Sequence, residues 1–446
     1  MDFKSLFNKS RSMDAKHPPT PKRKLQRSHT FSSGDELCRK DVSQSPKEMS
    51  HKKRLSFNKH IKSPVETVIS DEEIDLSLLN KICFTSGVEG HATRSVAWKL
   101  MLGYLPLKKD TWDTKLKTVR QTYWSFVQDL VINPGAIQAP GDHPLSQDTA
   151  SNWKSFFEEN KVLQQINYDS RRLYPDISFF QLRTEYPCAV EGIGKLRERV
   201  ENDNLETLEV KESRKGIQNL LKQKQGELFK SISVNEKANE AHWEVVERIL
   251  FIYAKINKGL GYVQGMNEII GPIYYVFGND PNLEWRQHAE PDTFYCFTNL
   301  MSEIGDNFCK SMDHTQYGIQ AMMTKLMTKL NRGDPELHAN LIEKNIDPHY
   351  FSFRWITLLL SQEFFLPDLI ELWDVLFSDE IRFEFLYDIC CAMLIIQRKA
   401  IIEADFGNTI KLLQHYPETP VTKIAHLAVE FRDCLMSKRK KSSRST

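Results

Sequence analysis

The spacing of apolar residues constrains the fold of this 446-residue chain more than any other feature. From about residue 71 onward, apolar side chains recur at intervals of three and four, which is the period of an amphipathic helix. One such stripe contains Trp243, Val246, Leu250 and Tyr253. Sustained alternation of apolar and polar residues is absent from the sequence, and Pro and Gly mostly stand between the stripes. The sequence therefore predicts an all-α fold.

Composition divides the chain into a basic tail, one large multi-helix domain and a short basic end. Residues 1–68 hold 16 Lys/Arg against 7 Asp/Glu, a net charge of +9. Such a segment buries too little apolar surface to offset the entropy of ordering, so we predict that residues 1–70 are a disordered tail. Residues 71–436 form the predicted domain, which contains a charged insertion at residues 191–240. Residues 437–446 are a basic tail that is either solvated or in contact with anionic lipid.

Several classes of function are disfavoured by the sequence. Its eight cysteines include no CxxC pair, so we expect reduced thiols and no zinc site. The longest apolar runs are far shorter than the ~20 residues of a membrane-spanning helix, and no secretory signal is visible. The motifs GxxxxGK[ST], HExxH and GxSxG are all missing from the sequence. We expect a cytoplasmic protein without a cofactor or metal of its own, with peripheral contact on endomembranes as an option.

A polar segment at residues 166–175 interrupts the apolar pattern. Asp169 and Arg172 are three residues apart, so on a helix they share one face, and a carboxylate there can hold an arginine in one orientation. Pro175 predicts that regular helix stops near residue 174. An arginine held in this way is preorganised to reach an external anion. The alternative is an ordinary surface ion pair, which contributes little to stability.

A second polar segment, residues 261–268, lies between two strongly apolar stretches. Within it, Gln264 stands between Tyr262 on one side and Gly265 on the other. Glycines allow such a loop to bring its backbone and a side-chain amide close to a partner molecule. The alternative is a plain turn between two helices, in which the amide caps a helix end.

Together, the two segments resemble the signature motifs of the TBC domain family of Rab GTPase-activating proteins. The family's I-x-x-D-x-x-R motif corresponds to residues 166–172, and its Y-x-Q-G motif to residues 262–265. The R-x-x-x-W helix that opens the family's domain corresponds to Arg94 and Trp98, and a late aromatic motif corresponds to residues 353–374. The four motifs occur in the family's order and spread over about 280 residues of the predicted domain.

The resemblance implies both a function and a mechanism. Proteins of this family activate a Rab-family small GTPase in its GTP form during vesicle trafficking, and the GTP and Mg²⁺ are held by that partner. The activator is therefore not itself an enzyme, but supplies residues in trans. Arg172 would be the arginine finger that neutralises charge on the transferring phosphoryl group, and Gln264 would orient the attacking water. Asp169 would fix Arg172, while Tyr262 and Gly265 would shape the glutamine loop.

Two arginines outside these roles need separate interpretation. Arg171 is a confounder for the finger, although the spacing from Asp169 favours Arg172. Arg94 and Trp98 are expected to be architectural, as an aromatic core anchor with a buried or half-buried ion pair.

Residues 175–181 and 242–250 further resemble one particular branch of the family.

Alternatives also remain for the insertion and for the function. The charged insertion is either a solvated excursion or a device that selects the Rab. A TBC-like module that binds a GTPase or a scaffold without accelerating hydrolysis is the alternative function. Such a module is expected to lack one of the two polar side chains, whereas this chain has both Arg172 and Gln264.

Overall fold

The apolar stripes form helices that cover one another's buried faces. The structure, a computed structural model, describes residues 63–131, 152–190, 196–203, 240–309 and 318–442. Its α-helices are α1 (Pro64–Ser70), α2 (Leu76–Ser86), α3 (His91–Met101), α4 (Trp112–Leu130), α5 (Asn152–Ser170), α6 (Leu196–Asp203), α7 (His242–Ile256), α8 (Met266–Gly278), α9 (Leu283–Arg286), α10 (Ala289–Ile304), α11 (Ile319–Gly333), α12 (Pro335–Glu343), α13 (Ser352–Thr357), α14 (Leu366–Phe377), α15 (Glu384–Ile396), α16 (Arg398–Glu403), α17 (Phe406–Gln414) and α18 (Val421–Ser442). Short 3₁₀ helices lie at Lys109–Thr111, Ser178–Gln181, Gly305–Phe308 and Pro348–Tyr350. Within the described ranges, extended pairing is limited to two isolated β-bridges, so the predicted all-α fold is confirmed.

The described residues include one helix before the predicted domain boundary. Ser63 caps α1 with a reciprocal capping box, which satisfies backbone N–H groups at the helix start. Val65 and Val68 are buried, and α1 packs against α2 and α3. The prediction of disorder is therefore wrong for this helix, because one short apolar face is hard to recognise inside a basic segment. The predicted tail at residues 1–62 lies outside the described residues.

Two further predicted boundaries also shift. Helix α18 continues to Ser442, into the predicted tail at residues 437–446. Within the predicted insertion, α6 packs against α5 and α7 and buries Leu196 and Val200. The interpretation of the insertion as a solvated excursion is therefore wrong for α6. The rest of the insertion, apart from its last residue, lies outside the described residues.

The helices form two groups that are linked by α14. In the first group, α7 packs against α4, α5, α8 and α10. In the second group, α11 packs against α12, α13 and α15, and α15 packs against α18. Helix α14 contacts α2, α3, α8 and α18, so it bridges the two groups. This arrangement brings the end of α5, the start of α8 and the residues that precede α14 into one region.

The opening and late motifs meet in the core between α3 and α14. The Nε of Arg94 donates to both carboxylate oxygens of Asp374 at 3.0 Å, and the indole N–H of Trp98 donates to Asp374 at 2.7 Å. Trp98 and Trp373 are fully buried, with ring centroids 6.1 Å apart. Burial raises the pKa of Asp374 to about 6, and the pairing with Arg94 opposes that shift only in part. The predicted aromatic anchor with its buried or half-buried ion pair is therefore confirmed, with Asp374 buried and Arg94 half-buried.

Candidate functional site

The two polar segments of the sequence meet beside the first turn of α8. The Tyr262 hydroxyl donates to Oδ2 of Asp169 at 2.9 Å, and this hydrogen bond joins residues that are 93 positions apart in the chain. Burial, together with the Asp169 carboxylate, raises the pKa of Tyr262 well above its ordinary value. The phenol therefore keeps its proton and remains a hydrogen-bond donor. Asp169 thus connects the arginine segment with the glutamine loop.

Two acceptors hold Arg172 just beyond the end of α5. Its Nη2 donates to Oδ1 of Asp169 at 2.9 Å, and its Nε donates to the Tyr168 carbonyl at 2.9 Å. A guanidinium carries five N–H donors. The other three find no acceptor among the residues that the structure describes. The Arg172 side chain is 44% exposed, so it presents these donors to solvent from a fixed position.

The neighbouring Arg171 faces a different direction. Its guanidinium carbon lies 4.8 Å from the ring centroid of Trp243, a buried residue of α7. A cation–π contact of this kind is attractive, and it holds the guanidinium against the domain. The Arg171 carbonyl also accepts from Nε2 of Gln181 at 3.1 Å. The two adjacent arginines therefore differ in direction, since Arg171 packs on α7 and Arg172 faces solvent.

The glutamine loop contains two glycines in left-handed conformations, Gly261 at φ +64° and Gly265 at φ +107°. A Cβ added at Gly265 would lie only 2.8 Å from Cδ2 of Leu358, so the loop is tightly packed against the residues after α13. Gly265 occupies the N-cap position of α8, which has no side-chain cap. Gln264 is half-buried, and its amide makes no hydrogen bond with the described part of the chain. The alternative of a capping glutamine is therefore not supported.

Asn267 and Glu268 complete the site, although neither was singled out from the sequence. Nδ2 of Asn267 donates to the Asp169 carbonyl at 3.5 Å and to Oε1 of Glu268 at 3.2 Å. The Tyr174 hydroxyl donates to the Glu268 carbonyl at 3.1 Å. Burial raises the pKa of Glu268 to about 7, the hydrogen bond from Asn267 opposes this shift, and the Asp169 charge adds to it. A polar pair at the start of an otherwise apolar helix is the sequence signal for these residues.

Backbone strain accompanies the side-chain network. Tyr174, Leu359 and Leu360 have φ values of +39°, +48° and +64°, although none of them is glycine. Each such conformation costs about 1–3 kcal/mol and persists where the surrounding structure fixes it, often at functional sites. The indole N–H of Trp373 donates to the Leu359 carbonyl at 3.0 Å and helps to fix this turn.

Arg172 lies at the protein surface, where its side chain is 44% exposed. A cavity of about 1060 Å³ lies elsewhere, with Phe179, His242, Arg286 and Glu290 in its wall, and neither Arg172 nor Gln264 lines it. Among the described residues, His, Cys, Asp and Glu side chains form no group that could hold a metal ion. Within the same ranges, no helix has both the length and the apolar character needed to cross a bilayer. An open polar surface of this kind suits a macromolecular partner.

The chain belongs to the TBC family of Rab GTPase-activating proteins. The family described as Rab-GTPase-TBC domain matches residues 192–402, which include Gln264 and exclude Arg172. The protein is similar to TBC1 domain family member 13 of Homo sapiens, with 46% identity over 398 residues that cover 85% of this chain and 99% of that protein. Member 13 of Mus musculus gives the same identity and coverage. The branch resemblance seen at residues 175–181 and 242–250 is thereby confirmed.

A solved structure supports the fold. The Ypt/Rab-GAP domain of Gyp1p superimposes with a TM-score of 0.58 at 22% sequence identity. The similarity covers 83% of this chain and 96% of that domain. At this identity, the similarity establishes a shared helical architecture.

Proposed function

We propose that this chain stimulates GTP hydrolysis by a Rab-family small GTPase in its GTP form, with Arg172 and Gln264 placed in the nucleotide site of that partner. Membership of the TBC family supports the class of partner. The observation that carries the mechanism is the shared carboxylate of Asp169, which hydrogen bonds with Arg172 on one segment and with Tyr262 of the glutamine loop on the other. One buried group therefore fixes both segments relative to each other.

Arg172 supplies charge to the transferring phosphoryl group. Negative charge on the phosphoryl oxygens must be stabilised in the transition state, and an arginine provided in trans accelerates hydrolysis by about 10³–10⁵-fold. This factor corresponds to about 4–7 kcal/mol. The contacts of Arg172 with Asp169 and Tyr168 fix its side chain before the partner arrives, so little entropy remains to be lost on binding.

Gln264 orients the attacking water. A side-chain amide both donates and accepts hydrogen bonds, so it can hold a water in line with the scissile bond. In this proposal Gln264 takes over the role of the GTPase's own glutamine. GTP and Mg²⁺ remain bound to the partner, so the chain performs no reaction alone.

The proposal includes a place in vesicle trafficking, with peripheral contact on anionic endomembranes through the basic tails. The net charge of +9 in residues 1–68 and the run of four basic residues at 438–441 support such contact. Each basic residue near an anionic membrane surface contributes about 1 kcal/mol. Sedimentation of the full chain with phosphatidylserine vesicles tests it. Equal sedimentation with neutral vesicles, or no loss of binding in high salt, would contradict it.

Hydrolysis assays with a panel of purified Rab GTPases loaded with GTP test the proposed mechanism. We expect stimulation of at least one Rab by the wild-type chain, and a loss of about 10³-fold or more with Arg172→Ala. Arg171→Ala is the matched control, because that adjacent arginine packs on Trp243, and it should retain the stimulated rate. Stimulation that is unchanged by Arg172→Ala would contradict the arginine mechanism.

The same panel separates the alternative function. A non-catalytic module would bind a GTP-loaded Rab without any increase in phosphate release. Binding measured beside hydrolysis therefore distinguishes an activator from a binding or scaffold module.

A further inference from the structure

An exposed aromatic residue stands next to the site on a segment that the catalytic proposal does not use. Residues 358–365 connect α13 to α14, and we refer to them as the 358–365 loop. Phe365, its last residue, is 57% exposed, although large apolar side chains are usually buried. A single exposed apolar residue needs no explanation by itself. The position of Phe365 does need an explanation, because the loop that carries it is fixed against both functional segments.

Three contacts attach the 358–365 loop to the site. Leu358 packs against Gly265 of the glutamine loop, since a Cβ added at Gly265 would lie 2.8 Å from Cδ2 of Leu358. Ser361 lies beside the phenol of Tyr174. Gln362 lies beside the carboxyl of the half-buried Glu268 and helps to stabilise its charged form. The loop is therefore part of the same rigid surface as the arginine and the glutamine.

Two hydrogen bonds also fix the 358–365 loop to neighbouring residues. Glu363, whose side chain is almost fully buried, accepts from Nε of Arg354 at 2.6 Å. The carbonyl of Phe365 accepts from the Leu369 N–H at 2.9 Å in the first turn of α14. An aromatic residue on an immobile backbone loses little conformational entropy when a partner covers it, and such residues dominate binding energy at interfaces.

Phe365 is close in the chain to the residues that contact the site, and a protein interface is wide compared with this separation. Phe365 follows Gln362 by three residues, so their Cα atoms are at most about 11 Å apart. A standard interface covers about 800 Å² on each partner, which is a disc of roughly 16 Å radius. The footprint of a GTPase whose nucleotide receives Arg172 and Gln264 is therefore large enough to extend over the 358–365 loop.

We propose that Phe365 is an apolar docking residue for the Rab-family GTPase, and that the 358–365 loop contributes binding and selectivity separately from the catalytic side chains. The inference rests on the proposed function for the identity of the partner. Covering Phe365 removes apolar surface from water, which strengthens association without touching the phosphoryl group. The loop therefore acts on KM, whereas Arg172 and Gln264 act on kcat.

Steady-state kinetics of the full chain with a panel of GTP-loaded Rab GTPases test this division. Phe365→Ala should raise KM by about tenfold with kcat changed by less than about twofold. Phe365→Leu keeps an apolar side chain and should recover most of the wild-type KM. The matched control is Phe157→Ala, which removes a 43% exposed phenylalanine of α5. Phe157 lies 13 residues before Ser170 on the helix, about 20 Å away along its axis, and its replacement should leave KM unchanged.

Each outcome of the experiment decides the inference. A wild-type KM in Phe365→Ala, with normal stimulation, overturns the docking role and leaves the proposed function intact. A fall in kcat equal to that of Arg172→Ala, or a lower unfolding temperature that Phe365→Leu does not restore, also overturns it. If a Rab binds but is not stimulated, and Phe365→Ala weakens that binding, the docking role of Phe365 is upheld and the catalytic proposal is contradicted. A panel in which no Rab binds or is stimulated overturns both.

Discussion

Asp169 is the residue whose replacement most sharply separates positioning from chemistry. The change Asp169→Asn keeps the shape of the side chain but removes its charge. The amide oxygen can still accept from Arg172, and the amide N–H₂ can donate to the Tyr262 oxygen. Charge-assisted hydrogen bonds are roughly twice as strong as neutral ones, so Arg172 should be held more weakly. We therefore expect Arg172 to sample other rotamers before it meets the phosphate.

The size of the effect follows from the entropy of the arginine side chain. A free arginine carries about 2 kcal/mol of rotamer entropy, which must be lost when it enters the transition state. At about 1.4 kcal/mol per tenfold change, Asp169→Asn should slow the stimulated hydrolysis by up to about 30-fold. This loss is well below the 10³-fold or more expected for Arg172→Ala. The fold should survive, since Arg172 and Tyr262 each still have a hydrogen-bond partner at position 169.

Single-turnover phosphate release at saturating activator measures this effect. The matched control is Asp176→Asn, which removes the charge of an exposed carboxylate four residues after Arg172. The control should retain the wild-type rate. A wild-type rate in Asp169→Asn would refute the positioning role of Asp169. A rate as low as that of Arg172→Ala would refute the calculated magnitude.

Two further predictions concern stability. Arg94→Ala leaves the buried carboxylate of Asp374 without its cation, so the free energy of unfolding should fall by about 3–5 kcal/mol. The rate of stimulated GTP hydrolysis per folded molecule should be retained. A wild-type denaturation midpoint, or a loss of this rate without a loss of stability, would contradict the architectural role. Burial raises the pKa of Glu247 to about 8 from the ordinary 4.5, with Nδ2 of Asn167 as its hydrogen-bond donor at 2.6 Å. The folded state therefore binds this proton more tightly, and stability falls as the pH rises from about 4.5 to about 8. Glu247→Gln should flatten that slope and raise the melting temperature more at pH 8.5 than at pH 5; an equal shift at both values would contradict it.

Local patterns in the sequence predict the helical fold well, because a buried helix needs apolar residues at its own period. The stripe at Trp243, Val246 and Leu250 lies in α7, and all three side chains are buried. The pairing of Arg94 with an acid was also predictable, but Asp374 as that acid was not. The two residues are 280 positions apart in the chain, and only the packing of α3 against α14 brings them together.

The candidate site was predictable where a motif carries it and unpredictable where tertiary contacts do. The spacing of Asp169 and Arg172 predicts their contact, which the structure contains at 2.9 Å. The hydrogen bond between Asp169 and Tyr262 depends on how α5 and α8 pack, and no local pattern encodes it. The same is true of the 358–365 loop. Leucine strongly disfavours left-handed conformations, so nothing local predicts the turn at Leu359 and Leu360.

The direct test of the central claim removes the glutamine of the partner GTPase. The experiment uses a Rab that the wild-type chain stimulates, with the Rab's own catalytic glutamine replaced by alanine. This Rab variant is loaded with GTP, and phosphate release is followed with and without this chain. If Gln264 supplies the water-orienting amide, the wild-type chain should still accelerate hydrolysis by this Rab variant, and Gln264→Ala should abolish stimulation even with the wild-type Rab. The account would be contradicted if the wild-type chain no longer stimulated the Rab variant while Gln264→Ala still stimulated the wild-type Rab.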